Sequence, residues 1–464
     1  MESINNFVGV INGFVWGPVM LVLLFGTHLF LTFATRGIQR YIPKAIKLSV
    51  TPDTEAEGDV SGFGALATAL AATIGTGNIV GVATAITIGG PGAVLWCWFT
   101  GLFGIATKYA EALLAIKYRV KDETGAMNGG PMYYLERGMK QKWLGVMFAV
   151  FAGLACFGIG NMTQGNSIST MVESTFSIPT WITGAILTVG TAAVILGGVK
   201  SIAKVCEKLV PLMAGLYVAG CLIILVMNGA YVGTAFVTIV SSAFTGQALG
   251  GGLVGGGVIM VIRAGVSRGL FTNEAGLGSA PIADAAAQTR NPVRQALIAM
   301  SGVFWDTIVV CAITGLVLVS SMLKNSQLVD GVMDGSLNGG LLTSAAFETI
   351  PVVGPIVLTI GLITFAWSTI LGWSYYGERS WVYLVGSKSI KPFRILWVIV
   401  VFIGCTIPLD LVWNIADTLN ACMAFPNLVG LLGLSGVIIA ETKKYLWDNN
   451  LDAFSDDVLE VVKK

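Results

Sequence analysis

Ala71-Ala72-Thr73-Ile74-Gly75-Thr76-Gly77-Asn78-Ile79-Val80-Gly81 sits in the middle of an apolar run over residues 64–88. Gly75, Gly77 and Gly81 make it a poor continuous helix, since each glycine costs about 1 kcal/mol against alanine. A second run, 254–287, is interrupted in the same way. Its centre reads Arg263-Ala264-Gly265-Val266-Ser267-Arg268-Gly269-Leu270-Phe271-Thr272-Asn273-Glu274-Ala275-Gly276-Leu277-Gly278-Ser279-Ala280-Pro281. Three charges accompany its glycines, and a charge at bilayer depth costs at least about 2.5 kcal/mol on insertion scales. Irregular backbone at that depth survives only where it lines a cavity or is covered by protein.

The rest of the chain makes a bilayer its solvent. Of 464 residues, 55% are hydrophobic and only 11% charged, with a mean hydropathy of +0.78. A soluble domain carries roughly a quarter charged residues. A net charge of +1 gives no reason to expect nucleic acid. The 7 cysteines include no CxxC pair, so disulfides and transition-metal sites are not expected. His28, the only histidine, lies in an apolar run and reads as a packing residue before a proton relay. No basic leader with a cleavage site precedes the first apolar run, which reads as a span.

A span needs about 20 mainly apolar residues. About eleven such runs appear, near 13–34, 64–88, 92–118, 143–172, 180–198, 206–228, 254–287, 295–321, 352–380, 392–408 and 415–440. With these spans, every basic residue except Lys108, Arg263, Arg268 and Lys324 falls on one side. The positive-inside rule then places the N-terminus outside and the C-terminus in the cytoplasm. The loop 121–142 is polar, the outer loop 323–350 ends in an amphipathic stretch, and the cytoplasmic tail 441–464 ends in a stretch, 445–464, that reads as a solvated helix or disordered. The interrupted spans are second and seventh, five apart. An odd offset makes the halves 64–228 and 254–440 cross in opposite senses, with 13–34 as an extra helix in front. Paired interrupted spans at corresponding places point to a midplane binding site in transporters. The plainer reading of either one alone is that its glycines allow close helix packing.

An unwound segment offers N–H groups at one helix start and carbonyls at another helix end, a combination suited to a zwitterion. The Thr76, Gly77 and Asn78 amides suit a carboxylate, and carbonyls from Gly269 to Thr272 suit an ammonium. Thr272 or Asn273 would cap the following half-helix, with Glu274 in its first turn. Hydroxyls of Thr364, Ser368 and Thr369 lie nearly on one helix face and could join carbonyls of Ala71 and Ile74 around Na⁺; the alternative is that they bond their own helix. Asp306, deep in the eighth span, either joins Asn78 in a second ion site or pairs with Arg263 or Arg268. Lys108 and Glu111 read as a pair with each other. Asn161, Thr163, Gln164 and Asn166 make the fourth span a candidate pocket wall. Phe271 and Trp367 are candidate bulky neighbours that would leave room for a small side chain.

Gly77-Asn78-Ile79-Val80-Gly81-Val82, Gly89-Gly90-Pro91-Gly92-Ala93-Val94-Leu95-Trp96-Cys97-Trp98, Lys108-Tyr109-Ala110-Glu111 and the stretch 269–283 together resemble the sodium:alanine symporter family. The resemblance runs from about residue 10 to 440. Leu95 and Cys97 stand where Phe and Met are usual, which bears on fine substrate preference. The resemblance implies an all-α, LeuT-type five-plus-five inverted repeat and sodium-driven uptake of alanine or glycine across the plasma membrane by alternating access. It implies unwound segments over 73–78 and about 265–274. It also favours Thr364, Ser368 and Thr369 as sodium ligands and puts Asp306 near a second ion. No cofactor and no obligate protein partner are expected. A proton in place of Na⁺ on the same fold is the alternative left open. An enzyme would need a catalytic constellation, a channel a repeated filter, and an ATP-driven pump a GxxxxGK[ST] loop; the sequence has none of these.

Overall fold

The computed structural model describes residues 2–245, 257–407, 410–456 and 459–462, and these are almost wholly helical. Among them, seven helices are long and apolar enough to cross a bilayer: Ala93–Lys117, Lys142–Phe176, Gly198–Met227, Pro292–Lys324, Val353–Val385, Ser387–Thr406 and Val412–Gly433. Two bent pairs raise the number to nine. They are Pro18–Ala34 with Ile38–Ser49, bent by 65°, and Gly62–Thr73 with Gly77–Gly89, bent by 49°. Length alone therefore does not yield the expected eleven. Thr180–Ile195, in the fifth expected position, is 16 residues long, and the described part of the seventh, Gly257–Asn273, is 17. At 1.5 Å per residue they reach about 25 Å, short of a full hydrocarbon core.

The first interrupted span breaks where its glycines stand. Ser61 caps Gly62–Thr73 by accepting from the Gly64 amide at 2.9 Å, and every residue of that helix except Phe63 is buried. Winding stops at Ile74, whose ψ of 89° is not helical. It resumes as a π-helical turn, Gly77–Gly81, leading into Val82–Gly89.

The second break is displaced from its expected place. Gly257–Asn273 is continuous, so 265–273 is wound rather than open. The irregular stretch is 274–280, with positive φ at Glu274 (54°), Gly276 (90°) and Gly278 (82°). Gly276 and Gly278 take such angles without strain, which lets the chain turn here. Gly265 and Gly269 serve the plainer purpose. A Cβ on them would lie 2.3 Å from the Ala93 carbonyl and 2.1 Å from Thr100 Oγ1, so they let this helix press on Ala93–Lys117. Glu111 holds the irregular stretch open: its Oε1 accepts from the Gly276 and Gly278 amides, both at 3.0 Å, and from Asn427 Nδ2 at 2.6 Å. Glu111 thus pairs with backbone and not with Lys108, whose Nζ has no hydrogen-bond partner.

Both ends of the site are covered. On one face, the helix Gly340–Phe347 rests on the π-helical turn, and Thr343 Oγ1 donates to the Ile79 carbonyl at 3.1 Å. On the basic face, the segments flanking the two breaks pair directly: Asp59 N donates to Ala286 O at 2.8 Å and Gln288 N to Val60 O at 2.7 Å. Arg119 ties them further by donating to the Ala285, Ala287 and Glu57 carbonyls. The tail, expected to be solvated, lies across this closure in its described part. Asn291 Nδ2 donates to Leu451 O at 2.7 Å, Ser455 N to Arg290 O at 2.7 Å and Lys121 N to Glu460 O at 2.9 Å. The helix Gly229–Thr245 was not expected; Trp96 Nε1 fastens it through the Ala243 carbonyl at 3.0 Å.

Candidate functional site

A small, tightly filled cavity of about 10 Å³, room for about one water, lies between the two breaks. Thr73, Gly75, Thr76 and Gly77 line it from the first break, Glu274 from the second, and Phe271 from the helix that precedes the second. Gln164, Thr369, Trp373 and Asn420 complete the wall. Gln164 Oε1, Thr76 Oγ1 and Asn420 Oδ1 are buried and have no hydrogen-bond partner. Orphaned polar atoms are costly in an apolar interior, and three around one cavity are what a polar ligand would satisfy.

The lining follows from local structure. A π-helical turn, Gly158–Met162, precedes Gln164 and reorients the helix that carries it. Gln164 Nε2 donates to the Ile159 carbonyl at 2.9 Å, which points its oxygen the other way, into the cavity. Glu274 is held on both oxygens: Trp373 Nε1 donates to one at 2.9 Å and Ser279 Oγ to the other at 2.6 Å. The Thr76 and Gly77 amides have no backbone acceptor among the described residues, while Asn78 N donates to Gly75 O at 3.2 Å.

Beside the cavity, four oxygens converge. Ser368 Oγ donates to the Ala71 carbonyl at 3.0 Å and to the Phe365 carbonyl at 2.8 Å. Thr369 Oγ1 reaches the same two carbonyls at 3.3 and 3.0 Å. Two carbonyls and two hydroxyls, all neutral and buried, form a donor set suited to a small hard cation. On the far side of the break, Asn78 Oδ1 accepts from Gly75 N at 2.9 Å, and its Nδ2 donates to Asp306 Oδ1 at 2.7 Å. Thr307 Oγ1 donates to the other Asp306 oxygen at 2.8 Å. Asp306 and Asn78 are therefore partners, and neither Arg263 nor Arg268 bonds to Asp306 among the described residues.

Other expected residues lie elsewhere. Thr364 Oγ1 bonds its own helix, at Ile360 O (2.8 Å) and Gly361 O (3.0 Å), one turn short of the cluster. Trp367 turns away from the cavity and donates to Thr191 Oγ1 at 3.1 Å; the tryptophan on the cavity is Trp373. Gly269 faces Cys97 and Thr100, and its carbonyl accepts from Thr272 Oγ1 at 2.8 Å, so it is not open to an ammonium. Asn273 Oδ1 accepts from Ala275 N at 3.0 Å, closing the end of its own helix instead of starting the next. Asn420, Trp373 and the Phe365 carbonyl were not singled out in the sequence. A polar Asn420 within an apolar run was the one available signal.

Two interrupted helices around a closed polar cavity, with a cation-type donor set beside it, define a secondary membrane transporter and not an enzyme. Comparison with known proteins agrees. MhsT, solved in complex with L-phenylalanine, superposes with a TM-score of 0.56 at 18% identity, over 87% of this chain and 94% of that one, and so shares its fold. The sodium/alanine symporter AgcS of Methanococcus maripaludis is 55% identical over 95% of this chain and 97% of its own. An uncharacterized transporter of Haemophilus influenzae is 50% identical over 99% and 100%. A model of the sodium:alanine symporter family matches residues 1–457, and the chain belongs to that family.

Proposed function

We propose that this chain carries alanine, or glycine, inward across the plasma membrane together with Na⁺, with its N-terminus outside and its C-terminus in the cytoplasm. The observation that carries the reading is the double position of Thr369, which lines the cavity and belongs to the four-oxygen cluster. A cation among Ala71 O, Phe365 O, Ser368 Oγ and Thr369 Oγ1 would take the place of the hydroxyl bonds to those carbonyls. The Ile74 peptide, already out of helical geometry, adjoins them. Filling this cluster would hold the first break in the shape that the cavity needs. Substrate in the cavity would in turn hold Thr369 for the ion, and such linkage is what coupling requires.

In the cavity, the free Thr76 and Gly77 amides and the Thr76 hydroxyl suit a carboxylate at a helix start. Gln164 Oε1, Asn420 Oδ1 and the Glu274 charge suit an ammonium. Ile159, Phe271 and Trp373 crowd the cavity, which favours a substrate with a small side chain. Asp306, with Asn78 and Thr307, is the place for a second Na⁺. The AgcS likeness supports sodium and alanine. The test is uptake of labelled alanine into proteoliposomes under an imposed Na⁺ or H⁺ gradient. A Na⁺ gradient is expected to drive accumulation, and uptake that ignores it would defeat the reading.

A further inference from the structure

Two cavities outside the transport site share a wall. One, about 330 Å³, opens at the basic face beside the polar residues Ser61, Glu207, Gln288 and Arg294. The other is apolar, about 400 Å³, and is lined by Leu66, Leu70, Ile74, Val218 and Trp305. Ser49, Val50 and Phe63 line both, so the two form one slot with a polar mouth and a greasy shaft. The shaft follows the Gly62–Thr73 helix from its cap to the break, about 18 Å for twelve residues. Its dimensions and character are those of an amphiphile with one extended hydrocarbon chain.

The mouth specifies the head. Arg294 is only 6% exposed. Its Nη1 bonds to Asp452 at 3.0 Å, and its Nε makes no hydrogen bond. Asp53, 3.4 Å from that Nε, is occupied by Arg290, which donates to it from Nε, Nη2 and the backbone. Glu207 accepts one bond, from Ser61 Oγ at 3.1 Å, and keeps capacity for more. Lys47 and Lys208 are exposed one helical turn before Val50 and Pro211, which line the shaft. Arg294, whose Nε has only a 3.4 Å ion-pair contact and no hydrogen bond, beside Glu207 with free acceptors complements a zwitterion that carries both phosphate and N–H. Basic pockets between spans are ready sites for lipid heads.

We propose that this slot binds a phospholipid with a primary-ammonium head, of the phosphoethanolamine type. Arg294 and the two lysines hold the phosphate, Glu207 accepts from the ammonium, and one acyl chain fills the shaft as far as Ile74. A choline head has no N–H for Glu207, and a glycerol head brings no cation to it. The occupant packs along the half-helix that ends at Ala71 and Ile74. It therefore braces the ion cluster from the lipid side.

Trp305, on the shaft wall, is the reporter. Full-length protein is placed in phosphatidylcholine nanodiscs, and phosphatidylethanolamine, phosphatidylcholine or phosphatidylglycerol with brominated acyl chains is added at one low mole fraction. Quenching assigned to Trp305 by subtraction of Trp305→Phe reads occupancy. Brominated phosphatidylethanolamine is expected to quench severalfold more than brominated phosphatidylcholine. Glu207→Gln should remove that excess. So should Gly215→Phe, which fills the shaft from a position where a Cβ meets nothing within 4 Å and the fold is spared. Equal quenching by the ethanolamine and choline lipids would overturn the proposal, as would a preference for phosphatidylglycerol. An ethanolamine excess that persists in Gly215→Phe would also overturn it. The readout needs no transport, so its failure is separate from failure of the symport reading.

Discussion

A Cβ placed on Gly75 would lie 2.5 Å from Thr369 Oγ1. No real Cβ tolerates that distance, so the first break and the Val353–Val385 helix meet at a contact that only glycine permits. Gly75→Ala must push Thr369 away from the Ala71 and Phe365 carbonyls. Overpacking of this kind costs about 1–3 kcal/mol. We expect Na⁺-dependent alanine binding to fall by tenfold or more while the purified protein keeps its oligomeric profile and melting transition. Binding at the wild-type level would show that Thr369 need not sit where it does.

Gln164→Leu and Asn420→Leu each remove an acceptor proposed for the substrate ammonium. A hydrogen bond to a charged group is worth about 1.5–3 kcal/mol, which corresponds to about 10–100-fold in affinity. Trp367→Phe and Thr364→Val are the controls, because those side chains bond Thr191 and their own helix. Calorimetric titration with alanine at saturating Na⁺ should separate the two pairs of variants clearly.

The contrast between these pairs shows how far the sequence could be read. The glycines of 75–81 marked the first break correctly, although Gly75 and Gly77 also permit close contacts with Thr369 and with Thr272 and Phe271. In the second span, Gly265, Gly269, Gly276 and Gly278 looked equivalent. Two of them allow close packing and two take positive φ, and only tertiary contacts distinguish those uses. Trp367 and Trp373 are six residues apart, and helix phase against neighbours decides which ring faces the cavity. Ser368 and Thr369 bond Ala71 O across the helix contact as well as Phe365 O of their own helix, whereas Thr364 bonds only its own backbone, and spacing alone does not separate them. The π-helical turns before Gln164 and around Asp306 shift the phase of both helices and leave no mark in a 3.6-residue pattern.

Glu111 bonds two amides of the irregular stretch 274–280. Glu111→Ala would orphan both in a buried setting, at about 1–3 kcal/mol each. A drop in melting temperature of several degrees is expected, together with weaker alanine binding, because Glu274 would lose its placement. Glu111→Gln keeps an acceptor oxygen and should recover most of the stability.

Asp53 connects pH to closure at the basic face. Burial raises its carboxyl, but the Arg290 hydrogen bonds and charge, with Arg294 beside it, outweigh that and hold it below the ordinary value of 3.8. A lowered folded-state value means that the stabilisation is fully present above the ordinary carboxylate range and is lost as pH falls through the depressed value. Thermal stability should therefore hold near neutrality and decline in acid below about pH 4. Asp53→Asn should lower stability at neutral pH and flatten part of the acid limb. An unchanged acid limb in that variant would assign the loss to other groups.

The central claim is that ion and substrate share Thr369. The direct test is alanine affinity of the purified protein measured across Na⁺ concentrations, for the wild type and Thr369→Ala. For the wild type, affinity should rise with Na⁺ by about 5–150-fold, the usual range of coupling energies. For Thr369→Ala, the curve should move to much higher Na⁺ yet approach the wild-type affinity at saturation. Alanine affinity that does not depend on Na⁺, or a variant weakened equally at every Na⁺ concentration, would contradict the account.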